Sequence, residues 1–452
     1  MNSIRLHHPR TAAIGGFAAL ILAGAAAWTL APDAGADEPA ITVDFTTPVA
    51  QIEPGDLGAS ITGYGGLNYI VNSPDHRAAM AAHDFGVLRI ELEYAVPGDH
   101  TSRIVCGGDW CHTEYDGDQW VEAIRSLGAE PILVLPAETG DAVALFEHFN
   151  AQAPITRVIV GNELDAGVPP KMDAATYSAR FNEIAAALHT LAPAVEVGGP
   201  GTAHNNIDYL TTFLAASGQH VDFVDYHDYG KGGEAKTAEQ LLAEVANYTT
   251  DIAQVRGLIE AAVPARAAEI GIQIGEWNMD WADPSPACAS MTTHLPTVWG
   301  AATLGTILES DATALAYGDK NGCLGLTGEW GEGTGADFVD INEPLPLYHG
   351  IGMFTGEGLF RSFGTTMVAT TSPDPLLYTF ASTGDKSVVI VNTGTSAVTM
   401  DVDFTGLDAG TAAVWQTTDA QREPHEAGTA AIAGGTTTVE LPGRSVTTLV
   451  IG

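Results

Sequence analysis

Residues 157–165 read RVIVGNELD, a β-branched apolar run that stops at a glycine and turns at once into the pair Asn162-Glu163. Apolar residues at successive positions, rather than at every second one, describe a strand covered on both faces, as in a parallel sheet with helices packed outside it. The carboxylate then falls just past the C-terminal end of the strand, the side on which barrels of parallel strands carry their sites. Residues 270–280, IGIQIGEWNMD, repeat the plan with Glu276 directly after a glycine.

Working outward, six more segments share this texture: LGASI from Leu57, VLRIELEY from Val87, PILVLPA from Pro131, VEVGGPG from Val195, VDFVDYHDYG from Val221 and TALAY from Thr313. Helical stretches separate them, among them 174–191, 239–262 and 298–309. Eight strands alternating with helices over about 270 residues predict an α/β fold, a (β/α)8 TIM barrel. An open doubly wound sheet is the alternative, but no strand leads into the GxGxxG turn of a dinucleotide site. Beyond Arg361 the helical period is lost, and short Val-, Thr- and Gly-rich segments such as LLYTFAS, SVVIVNTG and SVTTLVIG follow one another. These predict a C-terminal antiparallel β-sandwich. The early run ITVDF, from Ile41, lacks a helical partner and is expected to join it.

At the N-terminus, Arg5 and Arg10 precede an apolar stretch from Ala12 to Ala31, and Ala34-Gly35-Ala36 offers a small-x-small cleavage site. That pattern predicts an export signal over 1–36, and hence a secreted or extracytoplasmic protein. The stretch approaches the roughly 20 residues that span a bilayer, so an uncleaved N-terminal membrane anchor is the alternative. The expected organisation is then 1–36 signal, 37–53 a strand lent to the sandwich, 54–356 the barrel and 357–452 the sandwich.

The 452 residues carry 56 acidic against 18 basic side chains, a net charge of −38. Such a surface repels nucleic acid, anionic membranes and polyanions, and favours a neutral substrate. Four cysteines in an exported chain are expected to pair. Three pairings are open; proximity favours Cys106 with Cys111, which leaves Cys288 with Cys323. No Cys-x-x-Cys spacing supports a zinc cluster instead.

Glu163 and Glu276 end the fourth and seventh strands, which places them across the mouth of one barrel. Two carboxyls facing each other about 5–5.5 Å apart are what retaining glycoside hydrolysis requires, one to protonate the leaving oxygen and one to attack the anomeric carbon. Asn162 is placed to bond a sugar hydroxyl, and Arg89, on the second strand, to hold Glu276 ionised. Trp277 and Trp281 offer flat apolar faces for a sugar ring to stack on. Glu91, Glu93, Glu138, Asp225 and Asp228 also lie near strand ends, and Trp110, Tyr229 and Trp330 fall in loops that can line subsites.

The motifs GNELD (161–165), GEWN (275–278), VLR (87–89), GGP (198–200) and DFVDYHDYG (222–230) together resemble a clan of retaining (β/α)8 glycoside hydrolases. In that clan the acid/base sits in an Asn-Glu pair ending strand four, and the nucleophile Glu ends strand seven. Within it the chain is most similar to the β-xylosidase/α-iduronidase, α-L-arabinofuranosidase and heparanase/β-glucuronidase types, which carry a C-terminal β-sandwich. The resemblance implies acid/base for Glu163, nucleophile for Glu276, and substrate or nucleophile contacts for Asn162, Arg89, Tyr226 and His227. Leu164 departs from it, since Pro is common after the Asn-Glu pair.

The expected activity is cleavage of an oligosaccharide, polysaccharide or other glycoside, with no cofactor and no metal. His204, His227 and His294 show no ligand spacing, the acidic stretch 329–340 lacks the ordered ligands of a calcium loop, and neither a GxSxG elbow nor a P-loop occurs. The competing reading is a catalytically inactive carbohydrate-binding surface protein on the same fold.

Overall fold

A computed structural model describes residues 39–61, 70–107, 110–112, 114–166, 171–232, 234–282, 291–318, 324–328 and 341–452. Its first eleven strands are β1 (Ile41–Gln51), β2 (Leu57–Ser60), β3 (Val87–Tyr94), β4 (Arg103–Gly107), β5 (Trp110–His112), β6 (Glu130–Leu135), β7 (Arg157–Val160), β8 (Glu196–Thr202), β9 (Phe223–Tyr229), β10 (Gly271–Asn278) and β11 (Thr313–Tyr317). The eight strands β2, β3 and β6 to β11 pair in parallel, each with the next, and β11 returns to β2 to close a barrel.

Inside the barrel, Val87, Ile132, Val134, Ile159, Phe223 and Leu315 form an apolar cluster. Because side chains alternate along a strand, the same face then presents Arg89 and Glu91 on β3, and Asp225 and His227 on β9. The interior therefore turns polar toward its C-terminal mouth. Outside, helices cover the strands, most with one apolar stripe, while Leu295–Glu309 and Pro346–Thr355 are buried nearly all round. The Ala174–Leu191 helix buries Tyr177, Phe181, Ile184 and Leu188, three or four residues apart, each worth about 1.5–3 kcal/mol. Asp173 caps it by accepting from the Thr176 amide, and the Tyr177 hydroxyl donates to the Val160 carbonyl, fixing the helix to β7.

The hairpin β4–β5 runs antiparallel off β3 at the mouth, and the Cys106–Cys111 disulfide crosses it. Cys288 and Cys323, the expected second pair, lie outside the described residues, as do the 1–36 leader, the acidic stretch 329–340, Trp330 and the side chain of Trp110. No described helix is long and apolar enough to cross a membrane.

The remaining strands are β12 (Thr366–Thr371), β13 (Leu377–Thr383), β14 (Ser387–Asn392), β15 (Val398–Thr405), β16 (Ala409–Thr417), β17 (His425–Ala433), β18 (Thr436–Leu441) and β19 (Ser445–Ile451). Their pairing is antiparallel, and β1 completes it by lying antiparallel to β12 and parallel to β15. The expected two-layer sandwich is thus joined at its edge into a closed circuit. Alternate residues of β1, Ile41, Val43 and Phe45, face its core, where Phe45 stacks on Phe404 at 5.8 Å. Two barrel helices abut this β-domain. In Leu295–Glu309, Gly305 leaves room for the Phe380 ring, and in Pro346–Thr355, the Met353 carbonyl accepts from Thr448 Oγ1. The second of these was not among the expected helices.

Candidate functional site

Glu163 reaches the mouth because the chain reverses sharply after β7. Gly161 has φ +75°, a conformation that disfavours any side chain, and a Cβ there would stand 2.7 Å from Leu164 Cδ1. Glu163 itself has φ +49°, uncommon for a non-glycine residue, and its amide donates to the Gly201 carbonyl at 2.7 Å. These constraints aim the carboxylate over the barrel opening, where its side chain is 33% exposed.

Glu276 gets there by a different device. Gln273 points inward, its amide donating to Asp225 Oδ1 at 2.8 Å, and simple alternation would then send Glu276 outward. Instead the pairing with β9 shifts between Ile274 and Glu276, a bulge that inserts one residue and re-aims the next. Gly275 occupies the extra position because a Cβ would lie 2.4 Å from Asp225 Oδ1. Glu276 turns into the mouth, and Trp277 turns out.

One oxygen of each carboxylate and a ring nitrogen of His227 lie within 4.8 Å of one another. Their surroundings differ. Glu276 is buried, accepts from Arg89 at 2.7 Å on Oε1 and from the Tyr229 hydroxyl at 2.7 Å on Oε2, and has His227 Nδ1 at 3.5 Å. Burial pushes its carboxyl up, but the charges of His227 and Arg89 and the two hydrogen bonds more than offset this and hold it below the usual range. Among the described residues the Glu163 carboxylate is bonded only to His227 Nδ1, at 2.8 Å. Burial works against charge on His227 too, yet Glu276 and the hydrogen-bonded Glu163 outweigh it and raise its pKa to about 9. Arg89 bridges the strands, donating to Ser60 Oγ at 2.6 Å and Asn162 Oδ1 at 2.5 Å as well as to Glu276. Asn162 thereby has its carbonyl engaged, while its NH2 has no partner among the described residues.

Glu163, Glu276, Asn162, Arg89 and His227 are therefore brought together. Three expected contacts are not among them. Tyr226 alternates with Asp225 and His227 and so faces the helices, near Asp228, Asp251 and Tyr248. Trp277, fully buried, packs 5.9 Å from Trp299 in the layer between barrel and helices. Trp281 is 60% exposed and lies against Gly232, past the ends of β9 and β10. Tyr229, read from the sequence only as a loop aromatic, is instead a direct partner of Glu276. The alternation that excludes Tyr226 would have selected it, since residues 225, 227 and 229 share one face.

Beside Glu163 opens a cavity of about 280 Å³, walled by Tyr94, Pro136, Leu164 and Met172 and carrying the carboxyls of Glu91, Glu93, Glu138 and Asp141. The cluster Glu163, His227 and Glu276 has the spacing of a cation site, but Arg89 and the protonated His227 already supply positive charge there. A second cluster, Glu93 with Cys106 and Cys111, has its sulfurs bonded to each other.

A family model described as glycosyl hydrolases family 39 matches residues 168–313, which include His227 and Glu276 but neither Arg89 nor Glu163. In fold the chain is similar to the α-L-arabinofuranosidase of Thermotoga maritima, solved as an arabinose complex, with TM-score 0.73 and 16% identity over 91% of this chain and 99% of that one. It is also similar to a bifunctional glucanase-xylanase from a metagenome library, with TM-score 0.67 and 15% identity over 92% and 99%. A family 30 endoxylanase of Clostridium papyrosolvens gives TM-score 0.62 and 15% identity over 91% and 99%. A search of curated proteins found no match. The barrel with its β-domain is thus a fold shared with these glycoside-cleaving enzymes, and residues 168–313 carry the likeness to glycosyl hydrolases family 39.

Proposed function

We propose that the protein cleaves an O-glycosidic bond of a neutral saccharide by double displacement, with Glu276 as nucleophile and Glu163 as acid/base. The observation that carries this reading is the pair of carboxylates within 4.8 Å in unlike surroundings, one held ionised by Arg89, His227 and Tyr229 and the other open to the cavity. In the first step a Glu276 oxygen bonds to the anomeric carbon while the bond to the leaving oxygen breaks and takes a proton from Glu163. In the second, Glu163 accepts a proton from water as its oxygen attacks the same carbon and releases Glu276. Arg89 and His227 offset the negative charge that returns to Glu276 when it leaves.

A neutral substrate fits because the ionisable groups lining the cavity are carboxyls, which repel a uronate, while Arg89 is already bonded to Glu276. The neighbours named for arabinofuranoside, glucan and xylan cleavage act on such sugars. Residues 1–36 are taken as an export signal or anchor, 54–356 as the catalytic domain and 357–452, with 37–53, as the accessory domain.

Aryl glycosides provide the test. Glu276→Gln is expected to abolish turnover, and Glu163→Ala to lose about 10²–10⁴ on poor leaving groups while sparing the first step on activated ones. NMR of the first-formed anomer should show retention. Near-parental activity in both variants, or inversion, would overturn the assignment.

A further inference from the structure

Glu91 stands apart from the other carboxyls near the mouth. It follows Arg89 by two residues on β3, so both side chains share the interior face and Glu91 sits about 7 Å nearer the opening. It is 7% exposed, yet Oε1 has no hydrogen-bond partner among the described residues. Glu91 lines the cavity together with Asn162 and Glu163. Buried polar atoms are nearly always paired, and a carboxyl with one oxygen unpaired beside a cavity keeps hydrogen-bonding capacity for whatever fills it.

We propose that Glu91 is a further substrate-binding residue, which from the wall of the cavity beside Glu163 donates a hydrogen bond through its neutral carboxyl to a hydroxyl of the bound saccharide. The inference rests on the glycosidase reading above. Burial, reinforced by the charges of Glu276 and Glu163 and opposed by those of Arg89 and His227, raises the Glu91 pKa to about 8, so it keeps its proton at neutral pH. Glu93 on its own strand, and Glu138 and Asp141 beyond β6, add carboxyls to the same cavity. A neutral carboxyl has one donor and acceptor capacity besides, which matches a sugar hydroxyl, whereas a carboxylate only accepts. Proximity to Glu163 puts this contact on the sugar residues flanking the scissile bond.

The experiment compares the parent, Glu91→Gln and Glu91→Leu on an aryl glycoside that the parent cleaves, with kcat and KM measured between pH 5 and about 10, spanning the Glu91 and His227 pKa values. The parent KM is expected to rise through about pH 8 as Glu91 loses its proton. Glu91→Gln, which keeps a donor at every pH, should hold KM close to the neutral parental value and lack that rise; a rise that persists would belong to His227. Glu91→Leu should raise KM about tenfold at neutral pH with kcat little changed, the mark of lost uniform binding. Its melting temperature, equal to or above that of the parent, shows that the variant folds. Parental KM at all pH in Glu91→Leu, or a loss confined to melting temperature, overturns the proposal. Failure of the glycosidase reading looks different: the parent cleaves nothing in the panel. Glu91 is then read from the rise in melting temperature that a saccharide causes, and no rise, or an equal one in parent and Glu91→Leu, counts against it.

Discussion

Arg89 has no solvent exposure and divides its donors among Ser60, Glu276 and Asn162, so three strand ends are tied to one guanidinium. Its worth is asymmetric. A buried pair costs desolvation to assemble, but removing one member strands the other. Arg89→Met would leave the Glu276 carboxylate with His227 as its nearest cation and Asn162 Oδ1 without its donor. Loss of about 3–5 kcal/mol in denaturant unfolding is expected, together with an acid limb of the kcat/KM profile displaced to higher pH, since Glu276 loses a charge that favours ionisation. An unmoved acid limb would show that Arg89 is a structural tie alone. Glu163 is the contrasting residue, half open and bonded to one histidine, as suits a group that must take and give a proton in turn.

At the scale of elements, the bulge in β10 decides which side chains meet. A Cβ on residue 275 would overlap Asp225, so Gly275→Ala must either push that carboxylate away or remove the extra residue from the strand. Either response displaces Glu276, and a displacement near 1 Å is expected to lower kcat/KM about a hundredfold, measurable on the same aryl glycoside. Near-parental activity in a folded variant would mean that the bulge does not set the position of Glu276. The bulge also explains how much of the site was legible in the sequence. Apolar runs leading into glycines or polar residues revealed the eight strands, and a carboxylate close behind such a glycine singled out Glu163 and Glu276, because burial on both faces leaves a compositional trace. Facing is subtler. GEWN shows a glycine but not whether the strand bulges there, so Trp277 reads as a site aromatic when it is core. Tyr226 and His227 are adjacent and only one of them can face inward, a choice that the registry with Glu276 settles. Glu91 is one acid among several in the sequence; its burial emerges only once β6 and β7 stand beside it.

For the whole molecule, buried ionisable groups outside and inside the site bound the pH range of stability. His83, set against Phe85 and Tyr348 and bonded to Thr355, has its pKa lowered by burial to about 3, and His294 is lowered, again chiefly by burial, to about 4. Unfolded, both would titrate near 6.5, so the unfolded chain binds more protons and stability falls as pH drops from about 6.5 toward 3–4. Glu91 and Asp228 have the opposite sense, each raised by burial to about 8 against roughly 4.3 and 3.9 unfolded, so their neutral burial favours the fold at low pH, is lost as pH rises through that window, and offsets the two histidines between about pH 4.5 and 6.5. His227, at about 9, loses its contribution between roughly 6.5 and 9. Melting temperature is therefore expected to be nearly level between about pH 4.5 and 6.5 and to decline on both sides, with Glu91→Gln softening the alkaline decline. A monotonic rise from pH 5 to 9 would contradict these assignments.

The placing of β1 between β12 and β15 bears on how the chain can be made. Residues 41–51 leave the ribosome first among the described strands, but their parallel neighbour is complete only at residue 405. At ordinary synthesis rates even the wait for β12, its antiparallel partner from residue 366, is on the order of tens of seconds, during which the leading strand has no partner. Asp44 and Pro48 within it discourage pairing with the wrong edge in the meantime. Assembly of the β-domain thus closes on its first strand, and a chain cut short at any point before residue 366 leaves that strand with nowhere to dock.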